Sequence, residues 1–482
     1  MNIKFKKQDG LLLAVIMTYS YLFYEQHPGI NVLIFNLIVI GALVISRPIK
    51  AVSPALWVTA LGCLLSSVGV VVVNTDLAVF ASFLSLILLL GYVLDKESSL
   101  FVSLLNATYS MLAAPFVYSV RYFHRRPDET SARPSLSQRL RLLRFGSLAL
   151  PVLIALIFLS LYASANPVFS SLLEQIRFDF ISWEWVRFTL IGTFILFGFF
   201  YTTQMESLTQ WDDKQINDIV RTRRTKTQDF HPLALKFELK TGVILLLLLN
   251  LLLLVFNLAD ISYISGSRLP EGLTYSQYVH QGVYTLIVSI ILAILIIVYF
   301  LRGNLNFHSR NRLLILLTYA WIVQNIILAL GIAYKNGLYI EEYSLTYKRI
   351  GVFVYLFLAL AGLLTTYTKT GSLKNHWYLL RRNAWIAYVL LLVMSLFNWD
   401  RIITNTNLKK TDNTDFKYLT GLSDANLPEL QLLENDNRLP LTLTADLTHK
   451  RQAFFERTRS TGWQSWNYRD HKITYQLNDL LP

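Results

Sequence analysis

The sequence predicts an all-α polytopic membrane protein, a bundle of about 11 to 12 transmembrane helices followed by a small extracytoplasmic C-terminal region. Apolar stretches fill residues 10–397. Runs such as 241–258 and 282–301 are long enough, at ~1.5 Å rise per residue, to cross most of a ~30 Å hydrocarbon core. Hydrophobic residues make up 54% of the chain and charged residues only 16%, against the ~25% charged that is usual in soluble domains.

The basic residues lie mainly in loops between these apolar runs. The net charge of +13 therefore indicates membrane topology and excludes a nucleic-acid partner. The only cysteine, Cys63, lies in an apolar run, which excludes an intrachain disulfide and a cysteine metal cluster. The lipid bilayer is the partner that the composition predicts.

The N-terminus resembles the start of a secretory signal. Lys4, Lys6 and Lys7 precede an apolar run at 11–24. No small-residue cleavage site follows, and the chain passes Pro28 and Gly29 directly into the next apolar run. An uncleaved first hairpin is therefore favoured over a removed signal peptide.

Going along the chain, the hydrophobic runs predict spans separated by short polar turns, so that consecutive helices are antiparallel neighbours. The spans lie near 10–24, 30–46, 51–73, 76–94, 99–120, 146–164, 186–201, 241–258, 282–301, 313–333, 349–367 and 384–397. We divide the chain into N-terminal transmembrane hairpins (1–120), a basic cytoplasmic loop (121–145), a main bundle (146–397) and a C-terminal tail (398–482).

The distribution of Lys and Arg predicts the orientation. Loops 121–145, 202–240, 302–312 and 369–383 hold 21 of them, against 5 in loops 165–185, 259–281 and 334–349. Positive loops stay in the cytoplasm, which puts the tail outside. Five front spans that start inside would then put loop 121–145 outside. Eleven spans, with either 10–24 or 99–120 not crossing, resolve this conflict; the alternative is twelve spans with both ends outside.

Two loops have a distinct composition. Residues 166–185 carry apolar side chains at helical spacing and then Trp183 and Trp185, which indicates a helix on the outer membrane surface, as an anchor or a ligand lid. The run from Arg221 to Lys226 suits contact with anionic lipid headgroups or a cytoplasmic partner, although the positive-inside rule also explains it.

The tail after Trp399 is neutral, with 11 basic and 11 acidic residues. Its pattern predicts two short helices, one over Leu427, Leu430 and Leu433 after Ser423 and one over 444–457. Such a small region needs support from the bundle or the bilayer. The alternation of Ile473, Tyr475 and Leu477 predicts a terminal strand.

No pattern for catalysis or metal binding is present. The eight histidines show no zinc spacing, and there is no phosphate-binding loop. No Asp or Glu lies in the middle of a predicted span, which argues against paired carboxylate catalysis and against a carboxylate-based proton-coupled transporter. We therefore predict no catalytic residue, no metal and no cofactor.

Amide side chains are the polar groups inside the predicted bundle. Asn250 lies in the middle of one span, and Gln324 and Asn325 in the middle of another. Thr318 and Trp321 share a helix face with Asn325. Hydrogen bonds between helices satisfy such amides; a polar substrate pathway is the alternative.

A second cluster lies at the outer end of the span near 349–367, in the segment EEYSLTYKRI. Lys348 and Arg349 oppose the positive-inside bias, so we expect Glu341, Glu342 or a lipid headgroup to compensate them. The candidates for substrate or headgroup binding are Glu341, Glu342, Tyr347, Lys348 and Arg349.

Three segments carry a family resemblance: ANPVFSSLL (165–173), YSLTYKRIGVFVYLFLAL (343–360) and NWDRIITNTNLKKTDNTDFKYLTGLSDANLPEL (398–430). They resemble the uncharacterised bacterial polytopic proteins of domain-of-unknown-function family 4173 and its relative 4153. The resemblance covers roughly residues 145–430. It implies a multi-pass protein of the bacterial inner membrane and assigns no activity to any residue.

Two function classes follow. The first is a non-enzymatic membrane protein, either a transporter-like facilitator or a regulatory scaffold whose tail senses or recruits. The second is a membrane-embedded enzyme acting on a lipid or lipid-linked substrate at the outer face. The absence of mid-span carboxylates favours the first class.

Overall fold

The structure is a computed structural model of the chain. It describes residues 7–46, 53–124, scattered positions between 155 and 169, and residues 182–221, 232–266, 275–409 and 414–481. The regular elements of this part are helices, with one isolated bridge between Asp218 and Lys374. The all-α prediction is confirmed. The predicted surface helix over 166–185 and the basic run 221–226 fall mostly outside the described residues.

The helices form two compact units. Unit 1 contains Met1–Asp212 and Arg459–His471, and unit 2 contains Asp213–Thr458 and Lys472–Pro482. The described helices of unit 1 are α1 (Lys7–Phe23), α2 (Ile30–Ser46), α3 (Pro54–Val72), α4 (Asp76–Leu94), α5 (Leu100–His124) and α6 (Trp183–Phe200), and α7 (Glu206–Asp213) ends at the boundary between the units.

Local chemistry sets the ends of the front helices. Ser53 accepts a hydrogen bond from the Leu56 N–H and Pro54 follows it, so α3 starts with a capping side chain and a proline in its first turn. Thr75 caps α4 in the same way. Between α3 and α4, Asn74 has φ 47°, a left-handed conformation that asparagine tolerates. These devices produce the predicted antiparallel hairpins.

Helix α6 runs antiparallel to both α1 and α5. Along α1, the Tyr201 hydroxyl bonds to Asp9, Tyr19 stacks on Phe188, and the Tyr24 and Ser182 hydroxyls lie 2.8 Å apart. α5 is also long and apolar enough to span over Leu100–Arg121. Of the two front segments proposed as non-crossing, α1 therefore runs along the full length of α6, and α5 contacts the C-terminal half of α6. The number of crossings depends on residues 125–181, most of which lie outside the described part.

The C-terminal segment of unit 1 packs on the turns of its front hairpins. The Ile30 N–H donates to the Trp466 carbonyl at 2.9 Å, and Arg469 Nη1 donates to the Asn74 carbonyl at 2.5 Å. Gly29 has no room for a side chain, because a Cβ there would lie 2.5 Å from Ser465 carbonyl atoms. Residues 459–471 are thus a packed component of unit 1.

Unit 2 contains five long helices in alternating directions. They are α8 (Pro232–Gly266), α9 (Tyr275–Phe300), α10 (Arg312–Tyr343), α11 (Tyr347–Gly371) and α12 (His376–Ser395). Their apolar core includes Leu246, Ile290, Ile297, Trp321 and Leu363. The alternation places α8 and α10 parallel to each other, with their N-termini at one end of the unit.

The tail is helical, and most of it belongs to unit 2. Its helices are α13 (Trp399–Leu408), α14 (Phe416–Thr420), α15 (Leu427–Asn435), α16 (Leu441–Ser460) and α17 (Tyr468–Leu480). The two predicted helices are confirmed as α15 and α16. Leu427, Leu430, Leu447 and Phe454 share one core with Ile350 at the start of α11. The tail therefore leans on the bundle, as its small size requires.

The predicted terminal strand is wrong. Residues 473–477 lie in α17, where Ile473 and Leu477 are buried and Tyr475 is 67% exposed. Positions 473 and 477 are one helical turn apart, so the same residues satisfy a helical period. Three apolar positions were too few to separate the two periods.

Seven helices of the described residues are long and apolar enough to cross a membrane. A bent pair, α12 with α13, passes the same test with an angle of 63° between its members and brings the number to eight. Helices α2 and the apolar part of α9 are shorter. Multiple spans are therefore confirmed, and the total of 11 or 12 stays a prediction.

Candidate functional site

A row of polar side chains lies between the parallel helices α8 and α10. On α10, buried residues recur every three or four positions, which is the spacing of a helix–helix seam. They are Leu314, Thr318, Trp321, Asn325, Leu328, Ile332, Lys335 and Tyr339. Helix α8 contributes the buried side chains of Leu246, Asn250, Leu253 and Asn257. The predicted shared face of Thr318, Trp321 and Asn325 is therefore buried, and the α10 residues that bond to α8 are Leu317, Gln324 and Lys335.

Asn250 makes the first contact of this row, counted from the N-terminus of α8. Its Nδ2 donates to the Leu246 carbonyl at 2.7 Å and to the Leu317 carbonyl at 3.0 Å, and its Oδ1 accepts from Gln324 Nε2 at 2.9 Å. One amide thus bonds within α8 and twice to α10. This is the arrangement that stabilises helix pairs in hydrocarbon.

Asn257 repeats the contact two turns further along. Its Nδ2 donates to the Gln324 carbonyl at 3.1 Å. The step from Asn250 to Asn257 is seven residues, as is the step from Leu317 to Gln324. The two helices therefore keep a common register over this distance.

An ion pair lies at the other end of the row, after Asn257. Lys335 Nζ bonds to Asp260 Oδ1, and the two side chains are 8% and 12% exposed. The carboxylate lies against Gly331, where a Cβ would be 3.2 Å from Asp260 Oδ2. Two buried opposite charges compensate each other, whereas either one alone would be costly at this depth.

Three buried polar atoms of α10 have no hydrogen-bond partner among the described residues. They are Trp321 Nε1, Gln324 Oε1 and Asn325 Oδ1. Asn325 Nδ2 donates to the Trp321 carbonyl within its own helix at 2.8 Å. Helix α10 therefore combines the interhelical bonds to Asn250 with donor and acceptor capacity that the described residues leave unused.

The second predicted cluster lies at the sharp connection between α10 and α11. Ser344 is buried there with φ 73° and ψ 170°, a conformation that is strained for any residue with a side chain. Arg349 Nη1 donates to the carbonyls of Tyr343, at 2.6 Å, and Ser344, and its guanidinium lies 4.1 Å from the centre of the Tyr339 ring. Arg349 thus stabilises the sharp turn between α10 and α11.

The tail binds this same corner, and we call the contact the tail joint. It consists of Leu345, Tyr347, Asp400, Asn407 and Tyr418. Asn407 Nδ2 donates to the Leu345 carbonyl at 3.0 Å, and its Oδ1 accepts from the Leu345 N–H at 2.6 Å. The Tyr347 hydroxyl donates to Asp400 Oδ1 at 2.6 Å, and the Tyr347 N–H donates to the Tyr418 hydroxyl at 3.1 Å.

Asp400 is buried in the tail joint, where it also accepts a hydrogen bond from the Ser423 hydroxyl. Behind it, Lys450 Nζ donates to the Thr420 carbonyl, the Leu422 carbonyl and Asn426 Oδ1 at 2.7–3.2 Å. Burial lowers the pKa of Lys450 to about 8, while Asp424 and Asp400 act in the opposite direction. These contacts hold the first part of the tail, which belongs to unit 2, against the start of α11.

The other predicted site residues lie at the surface. Glu341, Glu342 and Lys348 are exposed, as is Tyr347 at 46%. Arg349 takes its contacts from backbone carbonyls and a ring, and Tyr347 from the tail. The cluster predicted from sequence is thus divided between a structural corner and an exposed surface. Among the described residues, His, Cys, Asp and Glu side chains form no group that could hold a metal ion.

Residues 11–433 match the model of a protein family, Domain of unknown function (DUF4153). The chain belongs to this family. No curated protein matches the chain, and no solved structure does. The family description assigns no activity. The DUF4153 match therefore shows the family of the chain, and its function has to be argued from the geometry of the site.

Within this DUF4153 chain, sequence reasoning missed Asp260 and Lys335. The predicted spans ended at 258 and 333, whereas α8 and α10 continue to Gly266 and Tyr343. The spacing of the α10 seam could have found Lys335, because 328, 332 and 335 continue the pattern of three and four. Asp400 and Asn407 were also missed, since short polar residues in a tail carry no periodic signal.

Proposed function

We propose that this protein is a non-enzymatic membrane scaffold whose C-terminal helical region is held in a defined position on its helix bundle. One observation carries the proposal. Asn407 forms a two-point hydrogen bond with the Leu345 backbone, and Asp400 and Tyr418 add contacts to Tyr347. A tail fixed so closely to the first turn of α11 can pass a change in its own surroundings directly into the bundle.

The proposed setting is the bacterial inner membrane, with the tail on the extracytoplasmic side. The 21 to 5 distribution of basic residues between alternate loops supports this orientation. Membership in family 4173 in addition to DUF4153 is part of the same proposal and rests on the segments at 165–173, 343–360 and 398–430. Reporter fusions at residue 400 are expected to show phosphatase activity and no cytoplasmic fluorescence. The opposite pattern would reverse the orientation.

The scaffold proposal is tested by separating the tail joint from the polar row. Asn407→Ala removes both hydrogen bonds to Leu345, whereas Asn405→Ala changes an exposed side chain of the same helix. We expect Asn407→Ala to abolish rescue of a deletion strain at matched membrane abundance, and Asn405→Ala to rescue fully. Asn250→Leu, which alters only the row, is expected to rescue as well.

A transporter-like facilitator is the second candidate, favoured by the unpartnered buried atoms of Trp321, Gln324 and Asn325. A polar solute passing along α10 would find these donors and acceptors free. In that case Asn325→Leu would abolish rescue while leaving thermal stability near that of the parent, and Asn407→Ala would rescue. This outcome would replace the scaffold with the facilitator.

An enzyme acting on a lipid-linked substrate at the outer face would use different groups. The exposed Glu341, Glu342 and Lys348 are the side chains available for acid–base work there. For the scaffold, Glu341→Gln combined with Glu342→Gln is expected to rescue fully. Loss of rescue by this double variant at parental stability would favour the enzyme.

A further inference from the structure

A cavity of about 600 Å³ opens at the end of unit 2 where α8 and α10 begin. Its mouth carries Lys236 and Lys240 on α8 and His308 and Arg310 in the loop before α10. None of the described residues that line it is acidic. The acidic side chain nearest in sequence, Glu238, lies 3.9 Å from Arg302. The cavity therefore presents concentrated positive charge, which attracts an anion.

Apolar side chains also line the cavity. Lys236 and Lys240 are one helical turn apart, and the next turn of α8 supplies Val243 and Ile244. Ile244 is 47% exposed and Leu313, at the start of α10, is 52% exposed, and both lie in segments apolar enough to cross a membrane. Within one helical turn the lining of the cavity thus changes from basic side chains to exposed apolar side chains. This lining suits a phospholipid at the membrane boundary, which has an anionic headgroup and apolar chains.

The loop that supplies His308 and Arg310 is held rigidly. Asn311 Nδ2 donates to the Asn306 carbonyl at 2.6 Å and to the Leu305 carbonyl at 3.3 Å, and both asparagines are buried. The Arg310 N–H donates to His308 Nδ1 at 3.1 Å. These bonds fix the backbone of the loop and the His308 ring, and so fix the place from which the Arg310 side chain starts.

The same bonds leave the N-terminus of α10 without a side-chain cap. Asn311 is the N-cap residue, yet its side chain makes no capping hydrogen bond because it is directed back into the loop. The first amide groups of a helix are donors that need an external partner, and they favour a negative group. Basic side chains and the start of a helix therefore meet at one cavity.

We propose that this cavity binds the phosphate of an anionic phospholipid, with the acyl chains lying along Ile244 and Leu313. Lys236, Lys240 and Arg310 contact the phosphate, and the α10 N-terminus faces it. The orientation proposed above puts this lipid in the cytoplasmic leaflet. Binding itself depends neither on that orientation nor on the scaffold function, so the proposal stands or fails separately.

The test is native mass spectrometry of the full chain released from detergent micelles containing phosphatidylglycerol or phosphatidylcholine. We expect one tightly retained phosphatidylglycerol and no retained phosphatidylcholine. Basic residues near an anionic membrane surface contribute ~1 kcal/mol each, so the triple variant Lys236→Gln, Lys240→Gln, Arg310→Gln is expected to bind phosphatidylglycerol about a hundred-fold more weakly. Each single variant is expected to bind about five-fold more weakly by the same reasoning, which preserves the test if the triple variant fails to fold.

The matched control removes three other exposed basic side chains of unit 2, Lys214, Arg221 and Arg382, by substitution with Gln. It has the same net charge as the triple variant and is expected to retain the lipid. Equal loss in both sets, or equal retention in both, would overturn the proposal. Inorganic phosphate in large excess is expected to leave the lipid bound; displacement would assign the cavity to free phosphate instead.

Discussion

The two units bury polar groups in different ways. In unit 1 the contacts are made by short side chains: Asn36 Nδ2 donates to the hydroxyls of Ser67 and Ser82 at 2.7 and 2.8 Å, and Ser110 donates to the Gly198 carbonyl at 2.8 Å. In unit 2 longer side chains also reach backbone carbonyls: Lys369 Nζ on α11 donates to the carbonyl of Leu301, just after the end of α9, at 2.8 Å. Both solutions give partners to polar groups that would be costly to leave unpaired in hydrocarbon.

The glycines show the physical reason for this difference. A Cβ at Gly198 of unit 1 would lie 2.6 Å from the Met111 Cα, and one at Gly91 would lie 2.7 Å from the Ser103 carbonyl carbon. In unit 2 a Cβ at Gly362 would meet only the Ile294 Cδ1 at 3.3 Å. At these two glycines unit 1 brings backbones into contact, and serine hydroxyls and the Asn36 amide are long enough to bond across such short gaps. At Gly362 unit 2 keeps a side chain between its helices, and in this unit lysines bridge helices in addition to amides.

The largest expected effect is in unit 2, at the buried ion pair. Lys335→Met leaves the Asp260 carboxylate buried without its cation, which costs about 3–5 kcal/mol. Thermal unfolding in detergent is expected to show the corresponding loss of stability. The double variant Asp260→Leu, Lys335→Met is expected to regain most of it, because no isolated charge remains. A single variant as stable as the parent would mean that the pair is reached by water.

The next effect tests backbone contact in unit 1. Gly198→Ala places a Cβ against backbone that cannot move aside, and we expect a loss of about 1–3 kcal/mol in unfolding free energy. Gly362→Ala in unit 2 is expected to cost far less, since the end of the Ile294 side chain can rotate. Gly41→Ala is the control, because nothing lies within 4 Å of its Cβ position. Equal losses at Gly198 and Gly362 would remove the distinction between the units.

Asn250→Leu has a smaller expected effect. It removes hydrogen bonds from α8 to α10, and each interhelical bond contributes ~0.6 to 2 kcal/mol. Asn325→Leu is the comparison: the bond that Asn325 donates stays within α10, so it is expected to cost less. Stability in detergent, measured for both variants, checks the order. If Asn325→Leu proved the more destabilising, Asn325 would have a partner in another helix.

Sequence reasoning predicted what depends on long apolar runs. The helical class, the hairpins of unit 1 and the buried face of α10 at Thr318, Trp321 and Asn325 all follow from hydrophobic periodicity. It failed where helices extend past their apolar part. Asp260 and Lys335 are charged, so a hydropathy criterion ended both spans before them, although each is buried by the other. The charges of this ion pair compensate each other only in the folded structure, so neither segment shows a hydrophobic signal at these positions.

The outer cluster shows contacts that sequence reasoning did not predict. Proximity in sequence predicted Glu341, Glu342 or a lipid headgroup as the partners of Lys348 and Arg349, and headgroup binding there stays a prediction. In the structure the chain turns sharply at Ser344, and Arg349 bonds to the carbonyls of that turn. The partners of Tyr347 come from Asp400 and Tyr418, over fifty residues away. The packing of the tail decides which distant residues reach the turn at Ser344. The local sequence holds no information about that packing.

The smallest expected effect is at Arg349. Its guanidinium bonds to two carbonyls and covers the Tyr339 ring, a geometry that a planar fork satisfies and an ammonium does not. Arg349→Lys is therefore expected to lose most of what Arg349→Ala loses, about 0.5–1.5 kcal/mol. The measurements are thermal stability and rescue of a deletion strain by the two variants at matched abundance. Lys348→Ala, on an exposed neighbour, is the control and is expected to behave as the parent. Full rescue and parental stability with both Arg349 variants would show that Ser344 keeps its strained conformation without this contact, and would make the tail joint alone responsible for the corner.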